Sequence, residues 1–90
     1  MTTRHYTLQF RPAAVRQLRK LPKDALGRLR TATEALCDQP RPPGAGKLAG
    51  TDDLWRIRVG DFRVVYTISD EALVVTVVRV ANRRQVYRGL

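Results

Sequence analysis

The sequence predicts an α+β fold, a small antiparallel β-sheet with an N-terminal helical hairpin packed on one of its faces. Three observations predict it. Residues 54–66 form two alternating runs around Gly60-Asp61, two short amphipathic segments meet at Pro22, and 90 residues leave room for a single core. Residues 1–90 are therefore expected to form one domain.

The N-terminal part of the chain predicts one strand followed by two helices. Residues 5–10 alternate, with Tyr6, Leu8 and Phe10 on one side, and Pro12 suits the first turn of a helix. Apolar residues then recur at helical spacing, as Ala14, Leu18 and Leu21 and, beyond Pro22, as Ala25, Leu29, Ala32 and Leu36. Two such stripes joined by a Leu-Pro pair indicate a helical hairpin lying on a sheet.

Residues 38–53 are dense in proline and glycine, which excludes regular structure and predicts a connection from the second helix back to the sheet. A phosphate-binding loop is the alternative for Gly44-Ala45-Gly46-Lys47. The segment lacks both the preceding strand and the full spacing of that motif. Lys47 and Leu48 are instead expected to anchor the connection, with Leu48 in the core.

Residues 54–66 predict a β-hairpin, because Gly60 adopts positive φ at the first position of a two-residue turn without strain. In that register Val59 faces Phe62, Arg58 faces Arg63, Ile57 faces Val64, Arg56 faces Val65 and Trp55 faces Tyr66. One face is then apolar, and the other carries Arg56, Arg58 and Arg63 within about 10 Å.

Like charges placed opposite each other destabilise a pair of strands by up to about 1 kcal/mol. A fold gains nothing from that arrangement, whereas an anion-binding site does. A solvated face that only keeps the protein soluble is the alternative, and the pattern of the three arginines alone leaves it open.

The C-terminal part predicts a turn at Ser69-Asp70-Glu71 and then a strand. Residues 73–78 are nearly continuously apolar, which is typical of a strand buried on both faces or nearly so, and the pattern does not fix its register. Residues 80–88 fit either a strand or a short helix. Arg83 and Tyr87 share a face in both cases.

The charge predicts a polyanionic or acidic partner. Seventeen lysines and arginines, fourteen of them arginine, oppose eight acids and give a net charge of +9. Arginine forks bind phosphates and stack on bases, so a nucleic acid or an acidic protein is favoured over a membrane surface. The single Cys37, the absence of an apolar leader and the absence of a long apolar run predict a cytoplasmic protein.

Residue types that support most other chemistries are missing. His5 and Cys37 stand alone, so neither a metal site nor a nucleophilic triad is expected, and no cofactor is implied. We interpret His5 as a surface residue and Cys37 as a core residue. The remaining possibility is a reaction at a phosphate that uses arginine and tyrosine alone. RNA would suit such a site, because its 2′-hydroxyl is the nucleophile and the protein need not supply one.

Residues 55–66 and 80–88 resemble the RelE branch of the RelE/ParE toxins, and Phe10, residues 18–22 and residues 40–50 fit as well. The resemblance implies a toxin of a type II toxin–antitoxin pair that enters the ribosomal A site and cuts mRNA by 2′-hydroxyl attack. It also implies a hetero-oligomer with an acidic, partly disordered antitoxin that wraps and neutralises the toxin.

The resemblance also implies roles for individual residues. Arg56 and Arg58 match positions that assist proton removal, Arg63 the position that stabilises the phosphate, Arg83 the one near the leaving oxygen, and Tyr87 the aromatic that positions a base. Lys47, Arg84 and Arg88 are expected to bind the RNA backbone.

Two departures from the family bear on the mechanism. Arginine replaces the lysine found in some members at positions 56 and 58, and it scarcely deprotonates. Ala81-Asn82 stands where many members have Gly-His or Gly-Lys. We therefore expect slow cleavage or dependence on ribosomal groups.

Two alternatives belong to other classes. A ParE-like relative would inhibit DNA gyrase by protein binding without cutting RNA, and its activity would not need the three arginines to converge. A decayed toxin would keep only antitoxin and operator binding.

Overall fold

The computed structural model describes residues 5–48, 50 and 53–82, and within them the chain forms five strands and two helices. In chain order these are β1 (Thr7–Phe10), α1 (Pro12–Arg19), α2 (Lys23–Ala35), β2 (Gly46–Lys47), β3 (Leu54–Val59), β4 (Phe62–Ser69) and β5 (Val74–Asn82). The predicted strand, the two helices and the central hairpin are all present.

The strands form one sheet in the order β1-β5-β4-β3-β2. The sheet is mixed rather than wholly antiparallel, because β1 runs parallel to β5, with Thr7 opposite Val74. A short turn forces the strands that it joins to be antiparallel. No such turn joins β1 to β5, which the chain reaches only after both helices and three other strands.

Both helices lie on one face of the sheet, which confirms the predicted α+β arrangement. Helix α1 begins at Pro12 and α2 follows Pro22, because proline at a helix start loses no hydrogen bond. The helices contribute Ala14 and Leu29 to the core, and Leu36, which caps the end of α2, adds to it; each of these is at most 2% exposed. Opposite them lie the inward residues of the sheet: Ile57, Val64, Tyr66, Val75, Val77 and Val80.

The loop between α2 and β3 is more ordered than its composition predicts. Gly46 and Lys47 form a two-residue edge strand opposite Arg56 and Trp55, so the exclusion of regular structure was wrong at this point. Leu48 is half-buried and lies outside the core, and its N–H donates to the Leu54 carbonyl at 3.0 Å. A backbone ladder satisfies polar groups that composition alone does not pair.

Asp70 joins this loop to the rest of the fold. It accepts two hydrogen bonds from Arg41, at 2.8 and 3.2 Å, and a third from the Tyr6 hydroxyl at 2.7 Å. The Arg41 guanidinium carbon lies 5.3 Å from the Trp55 ring centroid, within cation–π range. The loop, the first strand and the turn before β5 are thereby held to one another.

Strand β5 contains a bulge that the sequence pattern did not reveal. Val65 lies opposite Arg79 and Tyr66 opposite Val77, so Val78 has no partner in the ladder. Val75 and Val77 are fully buried, whereas Thr76 and the neighbouring valines are half-buried. The strand was predicted to be buried on both faces or nearly so. It is fully buried on one face and half-buried on the other, because both described helices lie on the same side of the sheet.

Candidate functional site

The hairpin of β3 and β4 has the predicted register, and it gathers the predicted arginines. Arg58 lies opposite Arg63 and Arg56 opposite Val65. Gly60 makes the turn with φ at +59°. Because Ile57 and Val64 alternate with these residues and are buried under the helices, the arginines project from the other face of the sheet. Directly opposed side chains have their Cβ atoms about 5 Å apart.

Strand β5 adds a fourth arginine that the sequence reasoning missed. Arg79 lies opposite Val65, which itself lies opposite Arg56 on its other side. Opposed residues share a face, so Arg79 projects from the same side of the sheet. We call Arg56, Arg58, Arg63 and Arg79 the arginine face. A signal was present in the sequence: a charged residue within an apolar run has to turn away from the core.

The arginine face surrounds Val65 on three sides. Arg56 and Arg79 flank Val65 across the two neighbouring strands, and Arg63 precedes it by two residues on its own strand. Ala81, opposite Arg63, is only 2% exposed and carries no charge. The cations therefore stand around an uncharged floor.

The sequences of β3, β4 and β5 contain neither aspartate nor glutamate. In the described part of the chain, no carboxylate pairs with Arg56, Arg58 or Arg79, and all three are exposed. Arg63 is half-buried. Charges that repel one another here attract a shared polyanion when one binds.

Of the remaining predicted binding residues, the described part of the chain contains only Lys47, which does not lie on this face. Lys47 lies opposite Trp55 on the other side of the sheet, with its Nζ atom 5.7 Å from the Trp55 ring centroid. Four predicted residues lie outside the described part of the chain: Arg83, Arg84, Tyr87 and Arg88. The predicted roles of the leaving-group arginine and of the base-stacking tyrosine are thus left as predictions.

Cys37 and His5 behave as predicted. Cys37 is 7% exposed, and burial, together with Asp38 and Glu34, raises the pKa of its thiol, which makes it a poor nucleophile. His5 is exposed and its Nδ1 lies 3.1 Å from Asp38. Between residues 5 and 82, as far as they are described, no three histidine, cysteine or acidic side chains cluster in a way that would hold a metal ion.

Sequence and structure comparisons identify the family. The sequence model of the "ParE toxin of type II toxin-antitoxin system, parDE" matches residues 8–87, which span the whole arginine face. The chain is 37% identical over 89 residues to Toxin RelG of Mycobacterium tuberculosis, covering 92% of this chain and 97% of that protein. The chain belongs to the RelE/ParE family of toxins.

Two further relatives carry the RelE name. The mRNA interferase toxin RelE of Escherichia coli K12 is 32% identical over 82 residues, 89% of this chain and 85% of that protein. The RelBE2 toxin–antitoxin complex of Mycobacterium tuberculosis contains a chain that matches with a TM-score of 0.79 and 30% identity, covering 88% of this chain and 99% of that one. This RelE/ParE chain is a toxin of a RelBE-type toxin–antitoxin system.

The helices of this RelE/ParE toxin are short. In the described part of the chain, neither α1 nor α2 has the length and the apolar character needed to cross a bilayer.

Proposed function

We propose that this RelE/ParE toxin is a ribosome-dependent, metal-independent mRNA endoribonuclease. One observation carries the proposal. Arg58 and Arg63 are directly opposed, with Arg56 beside them, on a sheet face without acidic residues. The name of the E. coli relative, mRNA interferase toxin RelE, supports the same activity for this chain.

The reaction that suits this surface uses the 2′-hydroxyl of RNA. The 2′-oxygen attacks the adjacent phosphorus while its proton leaves, and the bond from phosphorus to the 5′-oxygen breaks. The products are a 2′,3′-cyclic phosphate and a 5′-hydroxyl, whose oxygen takes up a proton. The transition state carries extra negative charge, and pre-arranged cations stabilise it without the cost of reorganising solvent.

Each arginine has a part in that scheme. Arg63 would hold the non-bridging phosphate oxygens, because its guanidinium fork fits two of them at once. Arg56 and Arg58 would lower the energy of the deprotonated 2′-oxygen by charge alone. Arg83 and Tyr87 would serve the leaving oxygen and the base, as the family resemblance implies.

A general base is not supplied by the arginine face. Arginine stays protonated under all physiological conditions, so Arg56 and Arg58 cannot accept the 2′-proton. We propose that a group of the ribosome accepts it, which accounts for ribosome dependence. Cleavage of naked RNA should accordingly be slow.

The antitoxin would act on the same charge. The related structure is a complex of a RelBE2 toxin with its antitoxin, and an acidic antitoxin segment would complement the +9 charge of this chain. Contact with the arginine face would exclude mRNA from it.

Replacing Arg63 by alanine tests the proposal. The Arg63→Ala variant should lose growth arrest and reduce mRNA cleavage by about 10²–10³-fold, the usual effect of removing one transition-state donor. Cleavage is measured by mapping the 5′ ends of cellular mRNA after a short pulse of expression. Arg19→Ala on helix α1 removes the same charge from the other side of the molecule and should leave both readouts unchanged.

Thermal unfolding of both variants shows whether they are folded. A folded Arg63→Ala protein with full toxicity and unaltered cleavage would refute the proposal. A folded wild-type protein without toxicity would indicate instead a decayed toxin that binds only antitoxin and operator.

Gyrase inhibition is the second candidate, because the matching family model carries the ParE name. It would operate by protein binding alone. Translation and DNA supercoiling, assayed after induction, separate the two. A loss of supercoiling with intact mRNA would establish the second candidate.

A further inference from the structure

Arg79 occupies a position that the proposed mechanism does not use. It lies on β5, exposed, and completes the arginine face on the side remote from β3. It makes no ion pair with any described carboxylate. By contrast, Arg28 on helix α2 has Asp24 at 3.7 Å, and Arg41 in the loop has Asp70 at 2.8 Å.

The bulge at Val78 determines the direction of Arg79. Val75 and Val77 point into the core, and strict alternation from them would point residue 79 inward as well. The unpaired Val78 shifts the pairing so that Val77 and Val80 both face the core and Arg79 faces outward. Bulges commonly re-aim side chains beside functional sites.

The spacing of the strands places Arg79 some distance from the residues that would hold the reacting phosphate. Arg63 lies opposite Ala81, two residues from Arg79, so Arg63 and Arg79 are diagonal neighbours about 7–8 Å apart. Arg56 is two strands away, about 10 Å. Arg79 is thus near enough to contact the same RNA strand as Arg63. It lies beyond the phosphate that Arg63 would hold.

We propose that Arg79 binds the RNA phosphate adjacent to the one that is cut. This inference rests on the proposed nuclease function. Arg79 contributes binding and alignment rather than stabilisation of the reacting group. Its loss therefore raises the Kd and the KM while the maximal cleavage rate is retained.

Binding to a non-cleavable RNA tests this directly. A single-stranded oligonucleotide with 2′-O-methyl groups throughout has no free nucleophile, so its Kd can be measured at equilibrium over a range of salt concentrations. Arg79→Gln should bind about fivefold to tenfold more weakly than wild type near 0.1 M salt, as expected for the loss of one charged phosphate contact. The plot of the logarithm of its binding constant against the logarithm of the salt concentration should be less steep than that of wild type, by about 0.7.

Two further variants separate charge from structure. Arg79→Lys keeps the charge and should retain the wild-type slope, whereas Arg19→Gln on the helix side should change neither Kd nor slope. On ribosomes programmed with mRNA, Arg79→Gln should raise the KM and keep kcat within about twofold, unlike Arg63→Ala. Thermal unfolding verifies that the variants are folded.

The possible outcomes distinguish the role of Arg79 from the proposed nuclease function. Wild-type Kd and slope in Arg79→Gln, or a loss of antitoxin affinity with RNA binding unchanged, would overturn the role of Arg79 and leave the nuclease function standing. If wild-type protein neither binds nor cuts RNA, both proposals fall.

Discussion

The arginines at positions 56 and 58 suit the arginine face to binding anions and not to transferring protons. A guanidinium carries its charge at every physiological pH and presents a planar fork to a phosphate. It therefore binds and stabilises anions well and transfers protons badly. The proposed chemistry consequently divides between toxin and ribosome, with the cations on the toxin and the proton acceptor elsewhere.

Tyr66 shows the opposite use of a polar side chain, within the core. Its ring is fully buried and its hydroxyl donates to the Pro40 carbonyl at 2.7 Å, which ties the proline-rich loop to the sheet. Burial raises the pKa of Tyr66 to about 12, although the charge of Arg41 opposes the shift. The phenol is therefore neutral wherever the protein functions.

Tyr66→Phe should reduce the free energy of unfolding by about 1–2 kcal/mol at pH 7, because the Pro40 carbonyl loses its donor. Between pH 10 and 12 unfolded Tyr66 loses its proton while folded Tyr66 keeps it, so its contribution to stability is complete below pH 10 and declines as the pH rises. Wild type should thus lose stability faster than the variant in this range.

Urea unfolding of both proteins from pH 7 to pH 11 measures the difference, since groups titrating in both cancel. A constant difference between the two proteins at all pH values would contradict the shifted pKa.

At the scale of single elements, turns and bulges decide which side chains meet. The two-residue turn at Gly60-Asp61 fixes the β3–β4 register, and the bulge at Val78 fixes that of β5. A slip of one residue in the pairing of β3 or of β5 would move their arginines toward the core and their buried apolar residues to the arginine face. Local backbone geometry is therefore a condition for the arginine face.

Replacing each of two glycines by alanine should change the free energy of unfolding in opposite directions. Gly60 has φ at +59°, where a Cβ atom is strained, so Gly60→Ala should lower the free energy of unfolding by about 1 kcal/mol. Gly27 lies inside helix α2 with nothing within 4 Å of an added Cβ, so Gly27→Ala should raise it by about 0.5–1 kcal/mol. Chemical denaturation measures both, and equal signs would contradict the assignment of strain to the turn.

At the scale of the whole molecule, the two faces of the sheet differ in the residues that they carry. One is covered by α1 and α2 and forms the core, and the other presents cations. The net charge of +9 reinforces the local field of the arginine face and favours long-range attraction of anionic partners.

Association with an acidic antitoxin should depend steeply on salt. The association rate constant is expected to fall by at least tenfold between about 10 mM and 500 mM salt, because screening shortens the range of the attraction. Stopped-flow mixing at several salt concentrations measures it. The dissociation rate should change much less, and a salt-independent association rate would indicate recognition by apolar contacts alone.

The sequence by itself determined the parts of this protein that depend on short-range patterns. Proline positions set the helix starts, and the alternation around Gly60 set the hairpin and the shared face of Arg56, Arg58 and Arg63. These features depend on neighbours within a few residues, which a local pattern records.

Only the tertiary structure decided the features that depend on distant pairing. The parallel contact of β1 with β5 and the edge strand at Gly46-Lys47 join segments far apart in the chain. The unpaired Val78 interrupts the two-residue period, so the alternation along β5 did not place Arg79 on the same face as Arg56. The register of a strand is fixed by the partner against which it packs, and that partner exists only in the folded chain.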